Sequence, residues 1–341
     1  MLLAAPRGFC AGVEMAIKAL AWMVRVFEPP VYCYHEIVHN RIVVDRFQAV
    51  GVVFVDDVDE VPPGAPLMLS AHGSAPDVVA GARARAGFLV DAVCPLVTKV
   101  HHEAKVRAGK GFTIVYVGHA GHDEAVGTMA VAPKAMHLVD HEDDIGRVPE
   151  PAGPVALLAQ TTLSHHDWAG ILAEAQARWA DLWVPGRSDL CFATTNRQSA
   201  LTAIAGKAEA IVVIGSANSS NTVALEKVAR AAGCQRVHRV NGAEELPEDL
   251  SGIVGVTAGA SAPEDLVREV IDRLAPRHGV EVVAITDEAE YFPPPRELRE
   301  LLPALAQLVT AAVGGPPPDG RSPFADDRQL AASDVLASLT V

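Results

Sequence analysis

The chain has 341 residues, half of them hydrophobic, with 28 Lys and Arg against 42 Asp and Glu. That size supports two or three packed units, and a formal charge of −14 disfavours nonspecific binding to nucleic acid or anionic lipid. No stretch approaches the roughly 18 uninterrupted apolar residues of a membrane-spanning helix. Met1 runs straight into LLAAPRGFC without a charged leader and spacer, so a cytoplasmic protein is expected. The five cysteines, odd in number and without a CxxC pair, point away from a disulfide framework or zinc ribbon and toward reduced thiols.

The chain opens with apolar MLLAAP and the turn residues Arg7 and Gly8. VEMAIKALAWMVRVF then follows at helical spacing, with Cys10 at the junction. VYCYHEIVHN reads as a strand whose alternation puts His35 and His39 on one side. Two more strands follow, the second ending at Ser70-Ala71-His72-Gly73, with Ser74 and Pro76 opening a helix. In DAVCPLVTKVHH, Cys94 comes after an apolar run and directly before Pro95, where a strand gives way to a helix. FTIVYVGHAGHDEAVG is a β-rich run ending in a loop with His119, His122 and Glu124. VALLAQTTLSHHDWAGILAEAQARWA passes from strand through Thr161 and Thr162 into a long helix. AIVVIGSANSSNTVALEKVARAAG and IVGVTAGASAPEDLVREVIDRLA repeat the plan of strand, small polar loop and helix.

In open α/β sheets, ligands bind beyond the carboxyl ends of the strands. Such ends here carry SAHG, GHAGHDE, TTLS, SANSSN and GASAP. Their glycines and serines let the backbone approach an anion, while hydroxyls and an Asn amide add hydrogen bonds, so a diphosphate would fit. Each loop alone also reads as an ordinary helix cap. Cys33 and Cys234 lie in apolar surroundings and read as core. Cys10, Cys94 and Cys191 instead sit at loop junctions beside Gly, Pro or Thr at near-equal spacing. That suggests one cysteine per layered α/β unit, with three thiolates gathered on one inorganic centre, either zinc or an iron-sulfur cluster. His101, His119, His141, His165 and His166 read as surface residues.

PRGFCAGV, HEIVHNRIVVD, SAHG, DAVCPLVTKVH, GHAGHDEAVGT, AQTTLS, CFATTNRQ, SSN and VTAGASAP occur here in the order carried by the LytB-type reductases of isoprenoid biosynthesis. From residue 2 to about residue 298 the chain resembles that family, the 4-hydroxy-3-methylbut-2-enyl diphosphate reductases. The resemblance implies an α/β fold of three units in a pseudo-threefold, trefoil-like arrangement around a central 4Fe-4S cluster. The units are expected at residues 1–94, 95–190 and 191–292, with 293–341 a helical or disordered extension. It further implies that Cys10, Cys94 and Cys191 ligate the cluster and leave one iron open to the substrate hydroxyl. His39, His72, His122, Ser219, Ser220, Asn221 and Ser261 would hold the diphosphate. Glu124 would be the proton source and Thr161 would orient the hydroxyl, with His122 beside them and Thr162, Thr195 and Asn196 in support.

The implied activity is reductive dehydroxylation of (E)-4-hydroxy-3-methylbut-2-enyl diphosphate to isopentenyl and dimethylallyl diphosphate, the last step of the non-mevalonate (MEP/DOXP) pathway. Flavodoxin or ferredoxin would deliver the electrons one at a time. An iron-sulfur sensor or a phosphate-binding protein on the same scaffold is the alternative, but neither would need Glu124, Thr161 and the full set of loops. A zinc hydrolase lacks support from any HExxH spacing. No nucleic-acid or membrane partner is expected, and monomer and homodimer both stay open. Lys99, Lys105, Arg107 and Lys110 form either a patch for an acidic donor or a solvated helix face. At the end of the chain, Gly314 to Pro318 reads as a linker between helix-compatible Glu300–Val313 and Asp326–Leu339. The tail is expected to be disordered or lightly docked.

Overall fold

Apolar runs of four or five residues, each closed by a Gly, Pro or polar turn, form the strands, and longer periodic segments form the helices between them. The computed structural model describes residues 1–313, 324 and 326–339, so the Gly314–Pro318 linker lies outside the described residues. In chain order the first elements are β1 (Leu2–Ala5), α1 (Ala11–Val26), β2 (Val31–Tyr34), α2 (Arg41–Ala49), β3 (Val52–Val55) and β4 (Pro66–Leu69). Next come α3 (Pro76–Arg85), β5 (Phe88–Asp91), α4 (Pro95–Gly109), β6 (Thr113–Val117), α5 (Asp123–Met129), β7 (Met136–Val139) and β8 (Val155–Ala159). The remainder comprises α6 (His165–Arg178), α7 (Phe192–Ala205), β9 (Ala210–Ile214), α8 (Ser220–Ala231), β10 (Val237–Val240), β11 (Val254–Ala258) and α9 (Glu264–Leu274). It closes with β12 (Glu281–Ala284), α10 (Arg296–Val313) and α11 (Ala332–Ala337).

The strands form three parallel sheets, ordered β10-β9-β11-β1-β12, β3-β2-β4-β5 and β7-β6-β8, as the expected α/β architecture of three units requires. Parallel strands need helical crossovers, and helices on the sheet faces favour strands that are apolar throughout; every residue of β8, β9 and β11 is buried. β1 pairs with β11 and β12, with Leu3 opposite Val256 and Val282, so the strand that opens the chain lies among strands from its last third. Because all pairs are parallel, the carboxyl ends within each sheet share one edge. The loops leaving those edges carry the polar residues singled out above.

Two local expectations fail. β2 stops at Tyr34, and His35 takes a left-handed backbone (φ 57) with its N–H donated to the Val55 carbonyl at 2.8 Å. His35 and His39 therefore lie in a loop instead of along a strand, and Asn40 Oδ1 accepts from the Val43 N–H at 3.2 Å to start α2. Glu124 is not in a loop but in the first turn of α5.

Residues 324 and 326–339 of the tail, the ones described beyond α10, are neither free nor lightly docked. α1 is buried almost continuously from Gly12 to Ala21, so it must be covered on nearly every side. Ala332 and Leu336 join the core that contains Ile17 and Leu20, and Trp22 meets Phe324 edge to face at 5.9 Å. Lys18, 5% exposed, donates to the Asp327 carbonyl at 2.8 Å, and Glu14 accepts the Ala332 N–H at 2.7 Å. Leu336→Ala should therefore cost about 2–5 kcal/mol of stability, read as a lower urea midpoint. A change under about 0.5 kcal/mol, typical of surface positions, would show that the tail is not part of the folded body.

Candidate active site

Cys10, Cys94 and Cys191 occupy the same local position, the residue immediately before the first turn of α1, α4 and α7 respectively. Helix N-termini favour negative charge, so each thiol sits where a thiolate gains from backbone dipoles. Burial acts the other way and raises all three thiol pKa values, Cys191 to about 11. A metal bound there would displace those protons. Gly12 makes the convergence possible. A Cβ at that position would lie 2.8 Å from Cys94 Sγ and 4.0 Å from Cys10 Sγ. Cys33 and Cys234 are buried in apolar clusters, as expected.

Beside the thiols, Glu124 is 2% exposed. Its Oε1 accepts the Thr161 N–H at 2.7 Å and its Oε2 accepts the Thr161 hydroxyl at 2.9 Å. Burial raises its pKa to about 7 even though both Thr161 bonds favour the carboxylate. The Thr161 carbonyl accepts the Cys191 N–H at 3.0 Å and the Thr194 hydroxyl at 3.1 Å. The Thr194 N–H in turn lies 3.2 Å from Cys191 Sγ. One strand end thus links the acid to a thiol.

Three histidines face one another. His39 and His72 stack with centroids 3.9 Å apart, and His122 stands edge-on to both, at 5.0 and 6.0 Å. His122 Nδ1 accepts the Glu124 N–H at 3.2 Å, which leaves the ring proton on Nε2 in the neutral form. Burial is the main cause that lowers His72 well below the usual histidine range and brings His122 to about 4. His39 Nε2 and His72 Nδ1 are buried without a hydrogen-bond partner among the described residues, a cost that an incoming acceptor would remove.

On the opposite wall, Ser219 caps α8 by accepting the Thr222 N–H at 3.3 Å. The Ser220 hydroxyl accepts from Thr162 at 2.9 Å, and Ser261 donates to the His39 carbonyl at 2.9 Å. Asn221 Oδ1 accepts the Ala260 N–H at 2.9 Å. All twelve residues singled out from the sequence (the three cysteines, His39, His72, His122, Glu124, Thr161, Ser219, Ser220, Asn221 and Ser261) line one cavity of about 100 Å³. Of the histidines read as surface residues, His119 pairs with Asp140 at 2.8 Å, away from that cavity. Of the basic patch, Lys99 is tied to Asp189 at 3.1 Å and Arg107 covers the Trp183 ring at 3.7 Å, so neither is simply a solvated cation.

The LytB protein family model matches residues 1–275, which include all twelve positions. The chain belongs to the LytB family. A 4-hydroxy-3-methylbut-2-enyl diphosphate reductase of Rhodopirellula baltica is 46% identical over 305 residues, 88% of this chain and 95% of that protein. The solved E-1-hydroxy-2-methyl-but-2-enyl-4-diphosphate reductase of Plasmodium falciparum superposes with a TM-score of 0.86 at 30% identity, covering 89% of this chain and 98% of that one. A second solved structure, of (E)-4-hydroxy-3-methyl-but-2-enyl diphosphate reductase, the terminal enzyme of the non-mevalonate pathway, gives 0.59 at 28% identity over 80% and 98% of the two chains.

Several residues of this LytB chain that shape the site were not found from sequence. Asp123 Oδ1 accepts from His35 Nδ1 at 2.8 Å, and its Oδ2 lies 3.7 Å from both His39 and His72. The hydrogen bond that Asp123 accepts raises the His35 pKa; at Asp123, burial raises the pKa, but that bond and the charges of His35, His39 and His122 together lower it. Gln160, fully buried, donates to Thr162 at 2.9 Å and to Ser220 at 3.2 Å. The motifs GHDE and AQTTLS contained both residues, but the partners that place them in the site, His35, His39 and His72 for Asp123 and Ser220 for Gln160, come from other loops.

Proposed function

We propose that this chain reduces (E)-4-hydroxy-3-methylbut-2-enyl diphosphate to isopentenyl and dimethylallyl diphosphate, removing the allylic hydroxyl as water in the last step of non-mevalonate isoprenoid synthesis. The observation that carries this reading is the meeting of three thiols, a buried acid with a pKa near 7 and an anion-receptive wall in one cavity. Family membership supports it. The donor set fits an iron-sulfur cluster: three soft thiols, each at a helix N-terminus, with a glycine that keeps the space between two of them clear. Cys10, Cys94 and Cys191 would hold it. When bound, a 4Fe-4S cluster with three protein thiolates supplies single electrons and a Lewis-acidic iron that carries no protein thiolate.

The chain's own groups bind, orient and protonate. His39, His72 and His122 meet the diphosphate on one side, and the hydroxyls of Ser219, Ser220 and Ser261 with the Asn221 amide meet it on the other. Glu124 holds a proton near neutrality in a site that excludes water. Its protonated Oε2 donates to Thr161 Oγ1, which turns the threonine's own hydroxyl proton toward the departing oxygen. The electrons would come from a flavodoxin or ferredoxin, and the reaction would take place in the cytoplasm; no helix among the described residues is long and apolar enough to cross a membrane.

Iron, sulfide and zinc analysis of protein purified without oxygen, with turnover of the hydroxy-diphosphate, tests the reading. Near four irons and four sulfides per chain with both products formed is expected, whereas zinc alone, or no metal after attempted reconstitution, would sink it. A second consequence concerns protons. Burial holds His72 and His122 neutral at pH 7, and a diphosphate among them pulls their pKa values upward. Binding should therefore take up protons at pH 7, and the uptake should fade as the pH rises past the raised values. Calorimetry in buffers of different ionisation heat measures it, and proton release on binding would contradict the assignment.

A further inference from the structure

Arg197 has no solvent exposure, although a buried charge is costly unless its partners offset the loss of water. Every N–H of its guanidinium is engaged. Nε donates to the Gly8 carbonyl at 2.9 Å, and Nη2 donates to the Gly8 and Phe9 carbonyls at 2.8 and 3.0 Å. Nη1 donates to the Ala193 carbonyl at 3.0 Å and to Glu288 at 2.9 and 3.1 Å. Glu288 Oε1 also accepts from Asn196 Nδ2 at 3.0 Å. With no donor left, Arg197 cannot grip a substrate, and it does not line the cavity. Its placement is informative: Gly8 and Phe9 lead directly into Cys10, while Arg197 and Ala193 lie on the helix that begins after Cys191.

We propose that Arg197, locked by Glu288, is a positioning residue that ties the Cys10 loop to the Cys191 helix and sets a fixed positive charge beside those two thiols. That charge eases the addition of an electron to a centre they hold, because reduction makes a thiolate-bound cluster more negative. The electrostatic half rests on the iron-sulfur reading; the tie between the loops does not. Burial raises all three thiol pKa values; in line with the placement, Arg197 acts against burial at Cys10 and Cys191, while Glu288 acts with it at Cys10.

The test has two arms. In metal-free protein, backbone amide deuterium labelling is followed segment by segment by mass spectrometry. Arg197→Met should label the segments around Cys10 and Cys191 about tenfold faster while the segment around Cys94 stays within about twofold of wild type. An equal rise at all three segments, or none, overturns the tie. In reconstituted protein, an EPR-monitored redox titration reads the charge. Arg197→Met should move the potential negative, by about 59 mV if reduction becomes tenfold less favourable, while Glu288→Gln should move it positive and Arg197→Lys should stay close to wild type. A purely structural role would not give opposite signs, so shifts in the same direction, or none, overturn the electrostatic half. Should Arg197→Met fail to fold, Glu288→Gln decides that half: a positive shift supports it, and a negative or absent shift overturns it. A wild type that takes up no iron overturns the cluster reading and with it the electrostatic half, while labelling still decides the tie.

Discussion

Glu124→Gln should bind the hydroxy-diphosphate about as well as wild type yet lose roughly 10²–10⁴-fold in kcat, the range contributed by a positioned proton donor. The substitution is nearly isosteric, and Gln can still accept the Thr161 N–H that Glu124 Oε1 accepts at 2.7 Å. What it lacks is a transferable proton. Burial raises Glu124 to about 7, close to the working pH, where a general acid is most effective. The sign follows directly: the acid form is the donor, so wild-type kcat should fall as the pH rises past about 7, and Glu124→Gln should lose that limb along with its turnover. Full activity, or a variant that loses binding and turnover in proportion, would show that Glu124 is not the proton source.

With the proposed cluster on Cys10, Cys94 and Cys191, Gly12→Ala should weaken metal uptake while leaving the fold in place. Gly12 lies in the first turn of α1, where Ala is favoured over Gly by about 1 kcal/mol in helix propensity. The added Cβ, however, would stand 2.8 Å from Cys94 Sγ, and the nearby Cβ of the same cysteine leaves little room to retreat. The propensity gain offsets part of that crowding, so the loss should fall mainly on metal uptake. An expected reduction of about 10–100-fold in metal affinity matches what displaced surroundings do at metal sites. It is measured as iron retained against a chelator, beside the melting temperature of the metal-free protein. Wild-type iron retention would mean that the cysteines do not converge as the structure has them.

The strand-loop-helix plan was legible because its signals are local. Four- and five-residue apolar runs, Pro95 after Cys94 and the Ser and Thr caps each act within a few residues. The site was legible for the same reason: a parallel sheet delivers its loops to one edge, so polar residues that follow successive strands are brought near one another. The tail was misjudged because its composition looks dispensable by itself. Its docking depends on α1, whose VEMAIKALAWMV run is buried nearly all round, Glu14 and Lys18 included as anchors for the tail, and demands cover that could come from anywhere in the chain.

Sequence by itself determined which residues could meet: cysteines before helices, hydroxyls after strands, an acid in GHDE. Only the tertiary structure decided their chemistry, since burial and distant partners are not local properties. Glu124 has a pKa near 7 because packing removes water from it, and Asp123 becomes the centre of a histidine group only when His35, His39 and His72 arrive from other loops. Arg197 reads in CFATTNRQ as one more polar helix residue. Its partners Gly8 and Phe9 lie 189 and 188 positions away along the chain, so only folding makes it a buried cation between two cysteines.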